Sequence, residues 1–493
     1  MELNNKGFAV STILYGILVI FFLVVALLMS ILSTNRKVTT NLIDQIDREL
    51  NDYSDSIGYK PNQPELVTGM IPIKYDDTKK VWVKSGIDDD AWYDYYNQRW
   101  ANAALVKEES RAEYQTAERG TEIPLDDMLV MLVWIPRYSY AKKGNYGYAI
   151  NSSSSLSETT PGAFNIRFVT SDITNLGVVK YTSDEPTEGD YYTPTSFCWG
   201  DKCETDRLSS ENKEISGFWV SKFELGVNNK NKASCAIASS ECDSDEIVPY
   251  SIPNITSWRY ARNVTFFNSI KKRVNGEYGN RNFGLSGSYD AHMIKNTEWG
   301  TIAILTQSKY GKYGKYINEG KAQVDAEVTI NNCSKYITGI SGDSVSASSS
   351  STCTNTYDTS KGQMASTTGT IYGIYDMSGG AWEFVMGHYG NDFNESTTGG
   401  FTSATPPETK YYNLYNNDMG IYGDATRIDA MIKDKNGNWI SYYSDEAIFP
   451  SADSPWFIRG GMYSKKNIAG IFAFKGSTGS INSSIGTRLT IKP

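Results

Sequence analysis

The residues of this chain best suited to chemistry are six cysteines and two histidines. All six thiols fall beyond residue 197, in three sequence-local pairs: Cys198/Cys203, Cys235/Cys242 and Cys333/Cys353. An even count at short spacings reads as disulfides formed in an oxidising compartment. The gaps do not make two C-x-x-C knuckles, so structural zinc is disfavoured. Six unpaired buried thiols are the alternative. Each closed loop would stabilise the fold by a few kcal/mol at most. His292 and His388 lie far apart and show no local partners. That leaves almost no raw material for a His-based metal site or a Ser-His-Asp triad.

These side chains need elements to carry them. The length of 493 residues suggests about three domains at roughly 150 residues each. Hydrophobic residues make up 40% and charged residues 21%, an ordinary globular balance. The net charge is −9 and Lys/Arg form no long block. Neutralising phosphates needs a clustered basic face, so no nucleic-acid partner is expected. Aromatics reach 13%, with 34 Tyr and 11 Trp. That richness fits β-structure and aromatic-lined surfaces, although core packing is its commoner use.

Residues 8–33 run 26 positions without a charge, and about 20 apolar residues suffice to cross a bilayer. The apolar spacing continues through Val38, Leu42, Ile46 and Leu50, which predicts one helix over 8–53, ~67 Å long at 1.5 Å per residue. A polar leader at 1–7 ending Lys6-Gly7, then Phe8 and this apolar stretch, resembles a type IV prepilin. The resemblance implies cleavage after Gly7 by a prepilin peptidase and methylation of Phe8. The apolar run implies a single-pass cell-membrane location, the cysteine pairs put the C-terminal part outside the cell, and the resemblance adds other pilin subunits as partners. Thr12 stands where that family usually has Glu. Minor pilins at a filament tip tolerate this loss; a plain membrane anchor is the bland alternative.

Gly58, Pro61 and Pro64 mark a linker. MIPIKYDD and KKVWVKSG then alternate apolar and polar residues around a polar turn, a hairpin signature. WYDYYNQRWANAALV can cover that hairpin, and 108–118 is charged and helical in pattern. Residues 54–120 therefore read as a small aromatic-rich β module or stalk. Residues 126–493 alternate strands, loops and two short helices without a βαβ rhythm. Residues 341–370 are rich in Ser and Thr and read as a surface loop, and 395–409 and 413–423 as further long loops.

Seven ordered motifs between 131 and 489 resemble the formylglycine-generating, sulfatase-modifying domain, a variant of the C-type lectin fold. They are MLVWIPRYSYA, ISGFWVSKFELG with Glu224, SWRYARNVTFFNSI, HMIKNTEWGTIAIL with Glu298 and Trp299, IYGIYDMSGGAWEFVMG, FIRGGMY and SSIGTRL. The expected fold class is thus α+β: a pilin-type transmembrane helix, a small β module, then a large C-type lectin-like domain over 126–493.

The resemblance fails at the chemistry. That family's oxidase uses two cysteines after its RGG turn to bind copper and a substrate thiol. Lys465 and Gly470 stand there, and no cysteine follows Cys353. Without a thiolate, copper has no soft ligand. Calcium remains a candidate near Glu383, although Gly380 replaces the family's Asn. The expectation is therefore a non-enzymatic, tip-type pilin-like adhesin with a glycan or protein ligand. Tyr463, Asn467, Phe472, Phe474 and Asn482 are its candidate contacts. The alternatives are a structural minor pilin that caps or primes a filament, and an enzyme related to the formylglycine oxidases.

Overall fold

The computed structural model describes residues 60–143, 163–170, 181–182, 191–227, 235, 241–275, 283–320, 326–393, 399–433 and 439–493. Every second side chain of Ile71–Asp76 is buried, and this strand pairs with Val81–Lys84 as the alternation of MIPIKYDD and KKVWVKSG requires. The hairpin forms one end of a seven-stranded sheet. Its order is Asp290–Met293, Leu489–Lys492, Gly217–Ser221, Met128–Pro136, Asn102–Val106, Ile71–Asp76, Val81–Lys84. All neighbours are antiparallel. Strands from 54–120 and from the body thus share one sheet. Met128–Pro136 is buried along all nine residues, hence its unbroken apolar run.

A second sheet runs Asn413–Tyr415, Trp382–Tyr389, Trp456–Arg459, Phe474–Ser477, and Ile485–Thr487 also pairs with Trp382–Tyr389. The helix Asn296–Thr306 is buried throughout, and its Trp299 is fully enclosed. Asn263–Arg273 is the other 11-residue helix. Most aromatics serve as packing: Trp134, Trp219, Trp258, Trp299 and Trp456 have no exposed surface.

Two expectations are corrected here. Among the described residues the fold is mostly strand and coil with few helices, not the expected α+β balance. The longest helices among the described residues have 11 residues, about 17 Å, against a hydrocarbon core of about 30 Å. Among the described residues no helix is long and apolar enough to cross a membrane. The transmembrane and pilin-type description and the single-pass location thus gain no support from the described residues. The leader at 1–7, the helix over 8–53, Gly7 and Phe8 lie outside the described residues.

The second correction concerns 341–370, which carries the strands Ile340–Ser341 and Asn355–Thr356 and buries Ser366, Thr367 and Thr368 completely. The hydroxyls are satisfied locally. Ser366 Oγ donates to the Gln363 carbonyl at 2.9 Å, and Thr367 Oγ1 accepts from the Ile374 amide at 2.9 Å.

His292, which showed no partner in sequence, sits between two carboxylates. Its Nδ1 lies 3.0 Å from Asp290 and its Nε2 3.1 Å from Glu298, while Trp199 stacks on the ring at 4.9 Å. Lys492 Nζ is 3.0 Å from Glu298, fastening the last strand to the helix Asn296–Thr306. Although burial opposes it, Lys492 and His292 hold the Glu298 carboxyl well below its ordinary range. Against the same opposition, His292 and Lys271 lower Asp290 to about 2.

The opposite shift occurs at other buried acids. Burial raises Asp376 to about 6, Glu383 to about 7 and Asp445 to about 8. The lowered pair stabilises the fold above the unfolded carboxyl range near pH ~4 and loses that contribution on acidification. The raised acids stabilise it at low pH and lose theirs as pH rises through their folded values. Unfolding temperature should therefore be highest at about pH 4 and fall by roughly 5–10 °C toward pH 8. A pH series of thermal melts reads this directly; a flat profile up to pH 8 would contradict the raised acids.

Candidate functional site

The segments quoted as motifs meet in space. Strand Gly217–Ser221 leads into Lys222 and Glu224, the turn 376–380 leads into strand Trp382–Tyr389, and Arg488 joins the last two strands. Arg488 Nε donates to Glu383 Oε2 at 2.7 Å and Nη2 donates to Oε1. Nη1 reaches the Ser221 carbonyl at 3.2 Å and Nη2 the Tyr375 carbonyl at 3.1 Å. Asp376 accepts from Asn331 Nδ2 at 2.8 Å and the Gly339 amide at 2.9 Å. Glu224 accepts from the Ser257 hydroxyl. Burial first, then Asp376 and Glu383, push the Glu224 carboxyl far upward. Three enclosed acids thus gather round one guanidinium, with 0–1% of their surface exposed.

That arrangement is scaffold, and it does not fit calcium. Both Glu383 oxygens already accept from Arg488, so the expected calcium position is filled by a cation of the chain itself. Among the described residues no group of three or more His, Cys, Asp or Glu side chains could hold a metal ion.

The two positions after the RGG turn are equally committed. Lys465 Nζ lies 3.1 Å from Glu446. A Cβ at Gly470 would stand 2.1 Å from Asp445 Oδ2 and 2.2 Å from Oδ1, closer than real Cβ contacts come. Asp445 is enclosed, and its Oδ2 accepts from the Phe472 amide at 3.0 Å. A carboxyl occupies the volume where a thiol would have to project.

The five candidate contacts divide. Phe472 and Phe474 are each 1% exposed, so they are corrected to core residues. Phe472 packs on Tyr442 at 5.2 Å and Phe474 on Phe449 at 6.0 Å. Asn467 and Asn482 are exposed and Tyr463 is half-buried. Asn467 rides on the short turn Lys466–Ile468. Tyr463 is anchored by its amide, which donates to the Gly380 carbonyl at 2.9 Å, and its ring meets Tyr336 edge-on at 4.9 Å.

Three residues of this face escaped the sequence reading. The Arg259 guanidinium lies 3.7 Å over the Tyr336 ring and 5.6 Å from the Tyr260 ring. Arg259 Nη1 donates to the Ser483 carbonyl, and the Tyr260 amide donates to the Asn482 carbonyl at 3.0 Å. Tyr260 and Tyr336 adopt φ of 61° and 55°, a left-handed backbone unusual for bulky side chains. Burial raises the Tyr336 hydroxyl to about 12, against the pull of Arg259. Ile481, beside Asn482, is 51% exposed. The only sequence signal was the SWRYAR stretch, which ends where the helix Asn263–Arg273 begins.

Comparison with known proteins adds no assignment. No family model and no curated protein matches the chain.

Two disulfides stand among the described residues, Cys198–Cys203 and Cys333–Cys353. The second closes the loop that carries Tyr336. Cys235 and Cys242, the third expected pair, are both buried.

Proposed function

We propose that the chain is a binding protein and not an enzyme, with the face around Tyr463, Tyr336, Tyr260 and Asn482 taking a glycan or protein ligand. The motif series over 131–489 resembles the formylglycine-generating domain, and that resemblance is part of the proposal. The observation that carries it is the packing at Gly470. Asp445 lies where a side chain at 470 would have to go, so the thiolate chemistry of the resembled family has no seat. Partly exposed tyrosines with neighbouring amides on a rigid two-sheet base suit recognition instead.

The test is an array of glycans and surface proteins probed with the full chain. Binding is expected, and Tyr463→Ala should weaken it about tenfold, the typical cost of losing an aromatic contact. The unfolding temperature should barely move, since Tyr463 is only half-buried. Equal binding by both proteins would remove this face from the account.

A further inference from the structure

We propose that Arg259 and the rings around it form a subsite for a carboxylate-bearing sugar, an inference that rests on the binding function proposed above. Arg259 is 4% exposed. Two other buried arginines, Arg137 and Arg488, are held by the carboxylates of Glu214 and Glu383, and Arg459 by the Asp424 backbone carbonyl. Arg259 is held by aromatic rings and by the Ser483 carbonyl, which takes its Nη1, while its Nε has no hydrogen-bond partner. A guanidinium presents five N–H donors in a planar fork. A desolvated cation with free donors is costly until an anion satisfies it. A ligand carboxylate would form charge-assisted, directional bonds there.

The surroundings favour a sugar as the bearer of that carboxylate. Tyr260, Tyr336 and Tyr463 are all half-buried and present ring surface for the apolar face of a pyranose, with hydroxyls for its polar edge. Asn482 adds an exposed amide; its Oδ1 accepts from the Ser484 amide at 2.8 Å, leaving the amide nitrogen for a ligand hydroxyl. Tyr260 and Tyr336, both with left-handed backbones, carry the rings that lie 5.6 Å and 3.7 Å from the guanidinium. Strain of this kind gathers at ligand clamps, where the surrounding structure over-determines it.

The probes are sialyllactose, trigalacturonate, the uncharged methyl ester of trigalacturonate, and triglutamate, titrated by calorimetry against the full chain. At least one acidic sugar should bind, with the methyl ester and Arg259→Gln each at least about tenfold weaker. Rising salt should weaken the acid but not the ester. Should Arg259→Gln fail to fold, the acid-against-ester and salt comparisons on the natural chain decide alone. The ester binding as tightly as the acid would overturn the carboxylate subsite and leave the binding function standing. Triglutamate binding without the sugars would overturn the sugar assignment. No binding by any probe would overturn the subsite, while the array result still decides the binding function by itself.

Discussion

Arg488→Leu is expected to lose about 3–5 kcal/mol of folding stability, the usual consequence of removing one partner from a buried ion pair. The guanidinium is fully enclosed and bidentate to an equally enclosed Glu383. It also ties the Ser221 carbonyl of the first sheet to the Tyr375 carbonyl beside the second, and it lies over the Trp299 ring at 5.4 Å. Leucine would leave Glu383, Asp376 and Glu224 as neighbouring buried acids without their shared cation. Arg488→Lys should be nearly as damaging, because an ammonium cannot reproduce the planar fork. Denaturant unfolding should show a much lower midpoint for both variants. A midpoint within about 1 kcal/mol of the natural protein, the range of a surface ion pair, would mean that this cluster does not hold the sheets together.

The second large effect is at Gly470. Restoring the cysteine of the resembled family there, Gly470→Cys, should destabilise the protein by about 1–3 kcal/mol, the range for forced overpacking. The new Cβ would fall 2.1 Å from Asp445 Oδ2, and a carboxyl on a short, enclosed side chain has little room to withdraw. The companion change Asp445→Ala should recover much of the loss by opening that volume. Thermal melts of the single and double variants test the pair. If Gly470→Cys melts with the natural chain, Asp445 does not fill the thiol's place.

Glu224, Glu383 and Arg488 were legible only as members of the quoted segments; their burial around one guanidinium was not, and Glu383 read as a calcium position. Glu224, Glu383 and Arg488 fall in segments rich in glycine and tryptophan, and those segments do meet. The hairpin and the helix Glu108–Thr116 were legible from alternation and charge pattern. Phe472 and Phe474 were misread because aromatics near a chain end look like contacts, whereas IFAF is buried at all four positions. Ser366–Thr368 read as loop because Ser and Thr composition is silent about burial when hydroxyls bond the nearby backbone. Arg259 and Tyr336 come together only through the tertiary fold, so no local pattern announces them. His292 likewise finds Glu298 across a strand-to-helix turn, which one-dimensional spacing of six residues does not reveal.

The most direct test of the central claim is oxygen uptake by the purified full chain supplied with copper and a cysteine-containing peptide. The expected rate is no higher than that of copper and peptide alone, because Lys465 is paired with Glu446 and Gly470 is closed off by Asp445. Uptake that requires the protein and saturates with peptide would contradict it.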